Sequence, residues 1–156
     1  NGLREYTGHH LGIFREHTQA PAFESGGAGL FATIDDYMRF GRMLLNNGEL
    51  EGKRVLSPRT VEYMTTGALI SCQQAGFDLW QGLSGYTYGN LMRVLKEPGM
   101  AVLNGSKGEY GWDGWLGTYF LNSPRDRMTF LLMYQNTDSG VTPMTRRVKN
   151  MLFAGL

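Results

Sequence analysis

Apolar residues recur at helical spacing in three stretches of the chain. From Thr33 to Asn47, Ile34, Tyr37, Met38, Gly41 and Leu45 form one stripe, widened by Phe40 and Leu44. That period predicts an amphipathic helix. Thr33-x-x-Asp36 is an acidic form of the capping box, and Asn47-Gly48 supplies a left-handed stop. Asp35 and Asp36 then occupy the first turn, where the helix dipole favours negative charge; this explains the pair without acid–base chemistry. Ser57-Pro58 opens a second helix with Val61 and Met64 facing inward and Gly67 as its stop. Thr142-Pro143 repeats that start, and Met144, Val148, Met151, Leu152 and Gly155 make the apolar stripe of a closing helix.

The period changes to that of strands in between. Leu50 to Val55 reads as a small hairpin turning at Glu51-Gly52. Tyr88 to Leu95 predicts one strand and Trp112 to Asn122 another, the second with a glycine-rich beginning. Ser123-Pro124-Arg125-Asp126 is a turn. Met128 to Tyr134 is almost unbroken apolar sequence, which predicts a central strand covered on both faces and antiparallel to Tyr119–Asn122. Residues 68–85 show no clear period.

The expected fold class is α+β, an antiparallel sheet flanked by helices. It is organised as a single domain over residues 1–156. An irregular segment spans 1–29, marked by Pro21 and the run Ser25-Gly26-Gly27-Ala28-Gly29; helices and a hairpin span 30–67, antiparallel strands 86–135, and the last helix 142–156. The countable helices barely cover such a sheet, so further sequence of the same protein or a partner chain is expected to pack on it.

Composition narrows the function classes. The chain has 156 residues, 42% hydrophobic and 19% charged, which suits one globular domain. Net charge is +1, and the only basic cluster, Arg146-Arg147-x-Lys149, reads as a solvated helix face, so no nucleic-acid partner is expected. No apolar run reaches the ~18 residues of a membrane span. The chain begins at Asn1 rather than Met, which suggests a processed product or a piece of something longer and leaves the compartment open between periplasmic or extracellular and cytoplasmic. Cys72 is the only cysteine, with no base among Ser71, Gln73 and Gln74 to activate it. His9, His10 and His17 form a loose pattern better read as surface or hydrogen-bonding histidines than as metal ligands.

The densest stretch runs from Glu109 to Phe120, where Gly111, Gly114 and Gly117 alternate with Tyr110, Trp112, Trp115 and Tyr119. A glycine-lined strand beside aromatics suits an enzyme that holds an extended substrate by its backbone, and equally a sheet packed tightly under a helix. The surrounding sequence favours the first. Gly26 to Tyr37, Met43 to Gly48, Leu56-Ser57-Pro58-Arg59-Thr60-Val61 with Met64, Gly111 to Gly114, Gly117 to Phe120, Pro124 and Gln135 follow one another in an order that resembles the serine β-lactamase-related group. This group includes class C β-lactamases, D-alanyl-D-alanine carboxypeptidases, D-aminopeptidases and family VIII esterases. The resemblance covers roughly residues 24–136 and implies the C-terminal portion of a β-lactamase/transpeptidase-like fold.

That group uses Ser-x-x-Lys, Tyr-x-Asn or Tyr-x-Ser, and Lys-Thr-Gly or its Trp-x-Gly and His-x-Gly variants on an edge strand. By the resemblance, Trp112-Asp113-Gly114 stands where Lys-Thr-Gly would. Trp112, Asp113 and Gly114 then bind substrate, with Gly114 allowing its close approach, and the Trp115 N–H is one of two oxyanion-hole donors. None of Ser25, Ser57, Ser71, Ser84, Ser106, Ser123 or Ser139 has Lys three residues later. Tyr88-Gly89-Asn90 matches Tyr-x-Asn literally, but its setting fits a glycine–tyrosine strand instead. The resemblance therefore implies part of a serine hydrolase acting on amide or ester bonds through an acyl-enzyme. This chain supplies a strand and half an oxyanion hole, is inactive alone, needs no cofactor and takes a small-molecule or peptide-like substrate. Asp113, in place of the usual Thr or Gly, opposes a substrate carboxylate and tilts the expectation towards an esterase- or amidase-like enzyme; Trp115 is bulky where small residues are common. Two alternatives remain. One is a glycan-binding module stacking sugars on Trp80, Tyr86, Tyr88, Tyr110, Trp112, Trp115 and Tyr119; the other is a scaffold protein of this family that has lost catalysis.

Overall fold

A computed structural model describes residues 2–4, 20, 23–27, 29–80, 82–137 and 142–156. The chain divides into two units, Asn1–Thr33 and Ile34–Leu156. In the first, the described residues hold a turn closed by the Gly29 N–H donating to Ser25 O at 2.8 Å, and no helix or strand. His9, His10, His17 and Pro21 lie outside the described residues.

The second unit opens with helix α1, Ile34–Leu45, whose packed face holds Gly41, Met43 and Leu44. That face is narrower than the apolar stripe, because Ile34 and Phe40 are 46% and 39% exposed. Gly41 sits where a side chain would collide: a Cβ there would lie 2.7 Å from Thr129 Cγ2 and 3.0 Å from the Phe120 ring. The helix stops as Asn47 and Gly48 turn left-handed, with Gly48 N–H donating to Met43 O at 2.8 Å. Strands β1, Glu49–Leu50, and β2, Lys53–Arg54, form the expected hairpin. Helix α2, Pro58–Thr65, starts under a Ser57 side-chain cap, and a short helix α3, Ser71–Phe77, follows. None of the residues of α3 is buried, which explains why the sequence there shows no period.

Five antiparallel strands then form a meander in the order β3-β4-β5-β6-β7. They are β3 Tyr86–Tyr88, β4 Arg93–Leu95, β5 Tyr110–Asp113, β6 Tyr119–Ser123 and β7 Met128–Leu132. Helix α4, Pro143–Ala154, closes the chain under a Thr142 cap. The class is α+β. Alternation along β6 separates two faces. Asn122 faces α1, donating to Gly41 O at 2.8 Å and accepting from the Thr129 hydroxyl at 2.7 Å. Phe120 joins Met43, Leu44, Val61, Met92, Val94 and Tyr110 in the core on that side. Tyr119, and in register with it Asp113, face the other way, towards the side that α4 covers.

Four expectations are corrected. The apolar stretch Tyr88–Leu95 holds parts of two strands, because the chain reverses through Gly89–Met92, where Gly89 N–H donates to Met92 O at 2.7 Å and Leu91 takes φ 82; Gly89-Asn90 is the turn signal in the sequence. Trp112–Asn122 is likewise two strands, split by a turn in which Gly117 N–H donates to Gly114 O at 3.0 Å. The apolar strand β7 pairs with β6 as expected, but lies at the edge of the five-stranded sheet and is half-buried throughout; an unbroken apolar run reports contact on its faces, not its place in the strand order. On α4, Met144 and Met151 are 47% and 75% exposed, while Thr145 and Lys149 are fully buried. The helix is oriented by a buried ion pair rather than by its methionines, so the basic cluster at Arg146–Lys149 is not a solvated face.

Candidate functional site

Strand β5 is interior along one half of its length and an edge along the other. Tyr110 and Gly111 pair with Val94 and Arg93 of β4, and that ladder goes no further. On its other side β5 stays paired with β6 from Tyr110↔Asn122 to Asp113↔Tyr119. The expected edge strand is therefore an edge only at Trp112 and Asp113, where β4 has already turned away through Leu91. Gly114 continues to bond the β6 side, its N–H donating to Thr118 O at 2.8 Å. Bonding direction alternates along an antiparallel strand, so the backbone groups of Asp113 point to the side where no described strand pairs.

The turn Gly114–Gly117 follows directly. Trp115 is its second residue and is half-buried, and the Leu116 carbonyl accepts from the Asn136 N–H at 2.9 Å, tying the turn to the segment after β7. A Cβ on Gly114 would lie 2.3 Å from Thr118 Oγ1, a side-chain atom that would have to shift to admit one. Trp112 is half-buried in an aromatic group: its ring lies 5.3 Å from Tyr88 and 6.4 Å from Trp80, and Phe77 stacks on Trp80 at 6.2 Å.

Asp113 does not present a bare charge. Its carboxylate pairs with the Arg93 guanidinium, which is 2% exposed and lies 4.7 Å over the Tyr119 ring and 5.7 Å over Trp112. Burial opposes the Arg93 charge, but Tyr119, Asp113 and Tyr86 outweigh it, and the guanidinium is held above its ordinary value. The Asp113 charge, expected to stand bare, is thus met by a buried cation. A second buried group adjoins the first on the same face. Glu109 accepts from the Tyr86 hydroxyl at 2.7 Å and pairs with Lys149, whose Nζ also donates to the Tyr86 oxygen at 3.0 Å. Glu109 and Asp113 thus sit at the two ends of one face of β5, each answered by a buried cation.

The remaining expected residues are scattered. Tyr88 belongs to the aromatic group, while the Asn90 amide donates to Tyr63 O at 3.1 Å beside a cleft of about 680 Å³ lined by Tyr63, Leu69, Gly89 and Leu91. Ser57 and Ser123 are engaged with Thr60 and Asp126. Cys72 is exposed on α3. Of the aromatics considered for sugar stacking, Tyr86, Tyr110 and Tyr119 are 3%, 4% and 2% exposed and have no face to offer. Sequence reasoning missed Arg93, Glu109, Lys149 and Tyr86. One signal was present: an arginine inside the apolar run Leu91-Met92-Arg93-Val94-Leu95 needs a buried partner. Among the described residues no three metal-ligating side chains gather, and no helix is long and apolar enough to cross a membrane.

The family model described as Beta-lactamase matches residues 3–154, and the chain belongs to that family. Two Mycobacterium tuberculosis proteins, "Uncharacterized protein MT1414" of strain CDC 1551 / Oshkosh and "Protein Rv1367c" of strain H37Rv, are each 34% identical to it over 127 residues. The match takes in 77% of this chain and 31% of each relative, so the chain spans about a third of the length of the curated relatives it matches. The crystal structure of a "putative beta-lactamase" from Bacteroides dorei DSM 17855 shares the fold at 20% identity and a TM-score of 0.50, over 94% of this chain and 45% of that one.

Proposed function

We propose that residues 1–156 are the C-terminal portion of a serine hydrolase that cleaves amide or ester bonds through an acyl-enzyme, with its Ser-x-x-Lys supplied by sequence outside these residues. The observation that carries the reading is the half-open edge of β5 at Trp112–Asp113, running straight into the Gly114–Gly117 turn, in a chain of the Beta-lactamase family. An extended acyl group adds to that edge as a short strand, bonding the Asp113 backbone. Its carbonyl then comes to the corner of the turn, where the Trp115 N–H serves as one oxyanion donor. Trp112 and its aromatic neighbours form the wall beside the acyl group. Because Arg93 neutralises Asp113, carboxylate-bearing substrates such as β-lactams and D-amino-acid peptides stand beside esters as candidates.

The turn offers a clean test. Trp115 is the second residue of a four-residue turn closed by the Gly117-to-Gly114 bond, a position that accepts proline and so allows deletion of the N–H alone. In the full-length protein, Trp115→Pro is expected to slow acylation by a fluorophosphonate or a chromogenic ester by about 10²–10³-fold relative to Trp115→Ala, which keeps the N–H. Equal rates for the two variants, or a full-length protein that no serine-directed probe labels, overturn the reading. The isolated 156-residue chain is expected to remain unlabelled.

A further inference from the structure

A cavity of about 540 Å³ opens at the Tyr110 end of β5, between α1, α2 and the β6–β7 turn, away from the Trp112 half of the strand. Its floor is apolar, built from Leu44, Val61 and the ring of Tyr110. Its polar lining includes Arg42, Arg127, Asn46 and Asn47, and contains no carboxylate. Elsewhere on these elements Arg39 pairs with Glu51 at 2.7 Å, and Arg54 with Glu49 at 3.0 Å. Arg42 and Arg127 have no ion-pair partner among the described residues, and both line the same cavity.

Arg127 adds a second, independent sign. It follows the Pro124-Arg125-Asp126 turn with φ 52, the left-handed conformation where glycine or asparagine is the low-cost choice. The backbone is strained there, and the side chain it carries is a guanidinium lining the cavity. Neighbouring Asp126 does not neutralise it, since that carboxylate is held by the Ser123 hydroxyl and does not line the cavity.

We propose that this cavity is a binding site for a small organic anion. A carboxylate or phosphate head would bridge Arg42 and Arg127, and an apolar body would lie on Leu44, Val61 and Tyr110. Two guanidiniums lining one cavity suit the planar, bidentate geometry of such heads, and Asn46 and Asn47 in the same lining can add further donors. The cavity uses none of the residues assigned to hydrolysis, so the proposal stands or falls apart from that reading.

The test is calorimetric titration of the chain with hexanoate, hexyl phosphate, inorganic phosphate and hexanol. Saturable binding is expected for the two amphiphilic anions, weaker binding for inorganic phosphate and none for hexanol. Comparing hexanoate with hexyl phosphate tells which head is preferred. Arg42→Gln and Arg127→Gly should each weaken anion binding by about tenfold or more, the loss expected for a charge-assisted hydrogen bond. Arg127→Gly relieves the left-handed strain and should melt at a temperature no lower than the parent, so its loss of binding cannot be put down to unfolding. Failure of every anion to saturate, equal binding of hexanol and hexanoate, or unchanged affinity in both arginine variants overturns the proposal.

Discussion

At the scale of single residues, the buried face of β5 is governed by what happens when one ion loses its partner. Lys149 is fully buried and Glu109 is 2% exposed; one oxygen of Glu109 takes the lysine and the Tyr86 hydroxyl, and the other has no partner among the described residues. Removing the cation strands a carboxylate in a low-dielectric interior. Lys149→Met is therefore expected to cost about 3–5 kcal/mol, in the range of broken buried pairs. Neutralising both partners removes that penalty, because Glu109→Gln keeps an acceptor for the Tyr86 hydroxyl without a charge to desolvate. The double variant Lys149→Met/Glu109→Gln should accordingly be more stable than Lys149→Met alone. Urea denaturation of the parent, both single variants and the double variant measures the coupling; additive losses would show that the pair does not act as a unit. The same logic explains why this network was invisible in the sequence. Lys149 lies forty residues from Glu109, and within Arg146–Lys149 nothing distinguishes a solvated lysine from a buried one.

At the scale of elements, the contact between α1 and the sheet depends on a missing side chain. Gly41 lets the helix backbone approach Thr129 and Phe120, and its carbonyl takes the Asn122 amide. Gly41→Ala would place a methyl 2.7 Å from Thr129 Cγ2. Helix propensity favours alanine by roughly 1 kcal/mol, whereas overpacking a filled contact costs about 1–3 kcal/mol, so a net loss of stability is expected. The pair Gly41→Ala/Thr129→Ser, which removes the opposing methyl, should recover most of it; thermal melts of the two variants decide. Boundaries announced by local chemistry were legible in the sequence: the Asn47-Gly48 stop, the Ser57-Pro58 and Thr142-Pro143 starts, the Glu51-Gly52 hairpin and the Ser123–Asp126 turn all stand where expected. Boundaries set by tertiary packing were not. The reversal between β3 and β4 has Gly89-Asn90 at its start, yet its left-handed residue is Leu91 inside an apolar stretch, and it is this reversal that ends the β4 ladder and leaves half of β5 open. The Trp112–Gly114 motif was thus readable, while the feature that makes it a candidate cleft depends on a strained leucine far upstream of it.

At the scale of the whole molecule, burial of phenols sets the alkaline limit of the fold. Tyr37, Tyr86, Tyr110 and Tyr119 are all pushed above their ordinary value, first by loss of solvent; for Tyr86 the nearby Glu109 charge adds to the effect. In the unfolded chain these groups lose their protons near pH ~10. The folded state keeps them longer, so above about pH 10 it binds more protons than the unfolded state, and stability falls as pH rises. Lys149 works in the opposite sense: burial lowers its value against the pull of Glu109, so the unfolded chain binds the extra proton just below the ordinary lysine range and stability there rises with pH. Four phenols against one amine give a net loss above about pH 10, and stability contributed by the phenols is intact below it. The phenols of Tyr37, Tyr86, Tyr110 and Tyr119 are expected to ionise only as the protein unfolds, so the last rise in tyrosinate absorbance coincides with loss of the folded circular dichroism signal. A single phase near pH ~10 with the fold still intact would mean that Tyr86 and Tyr119 are open to solvent. The face of β5 that holds Arg93, Asp113 and Glu109 would then not be the dry, charge-paired support that a rigid half-edge at Trp112–Asp113 requires.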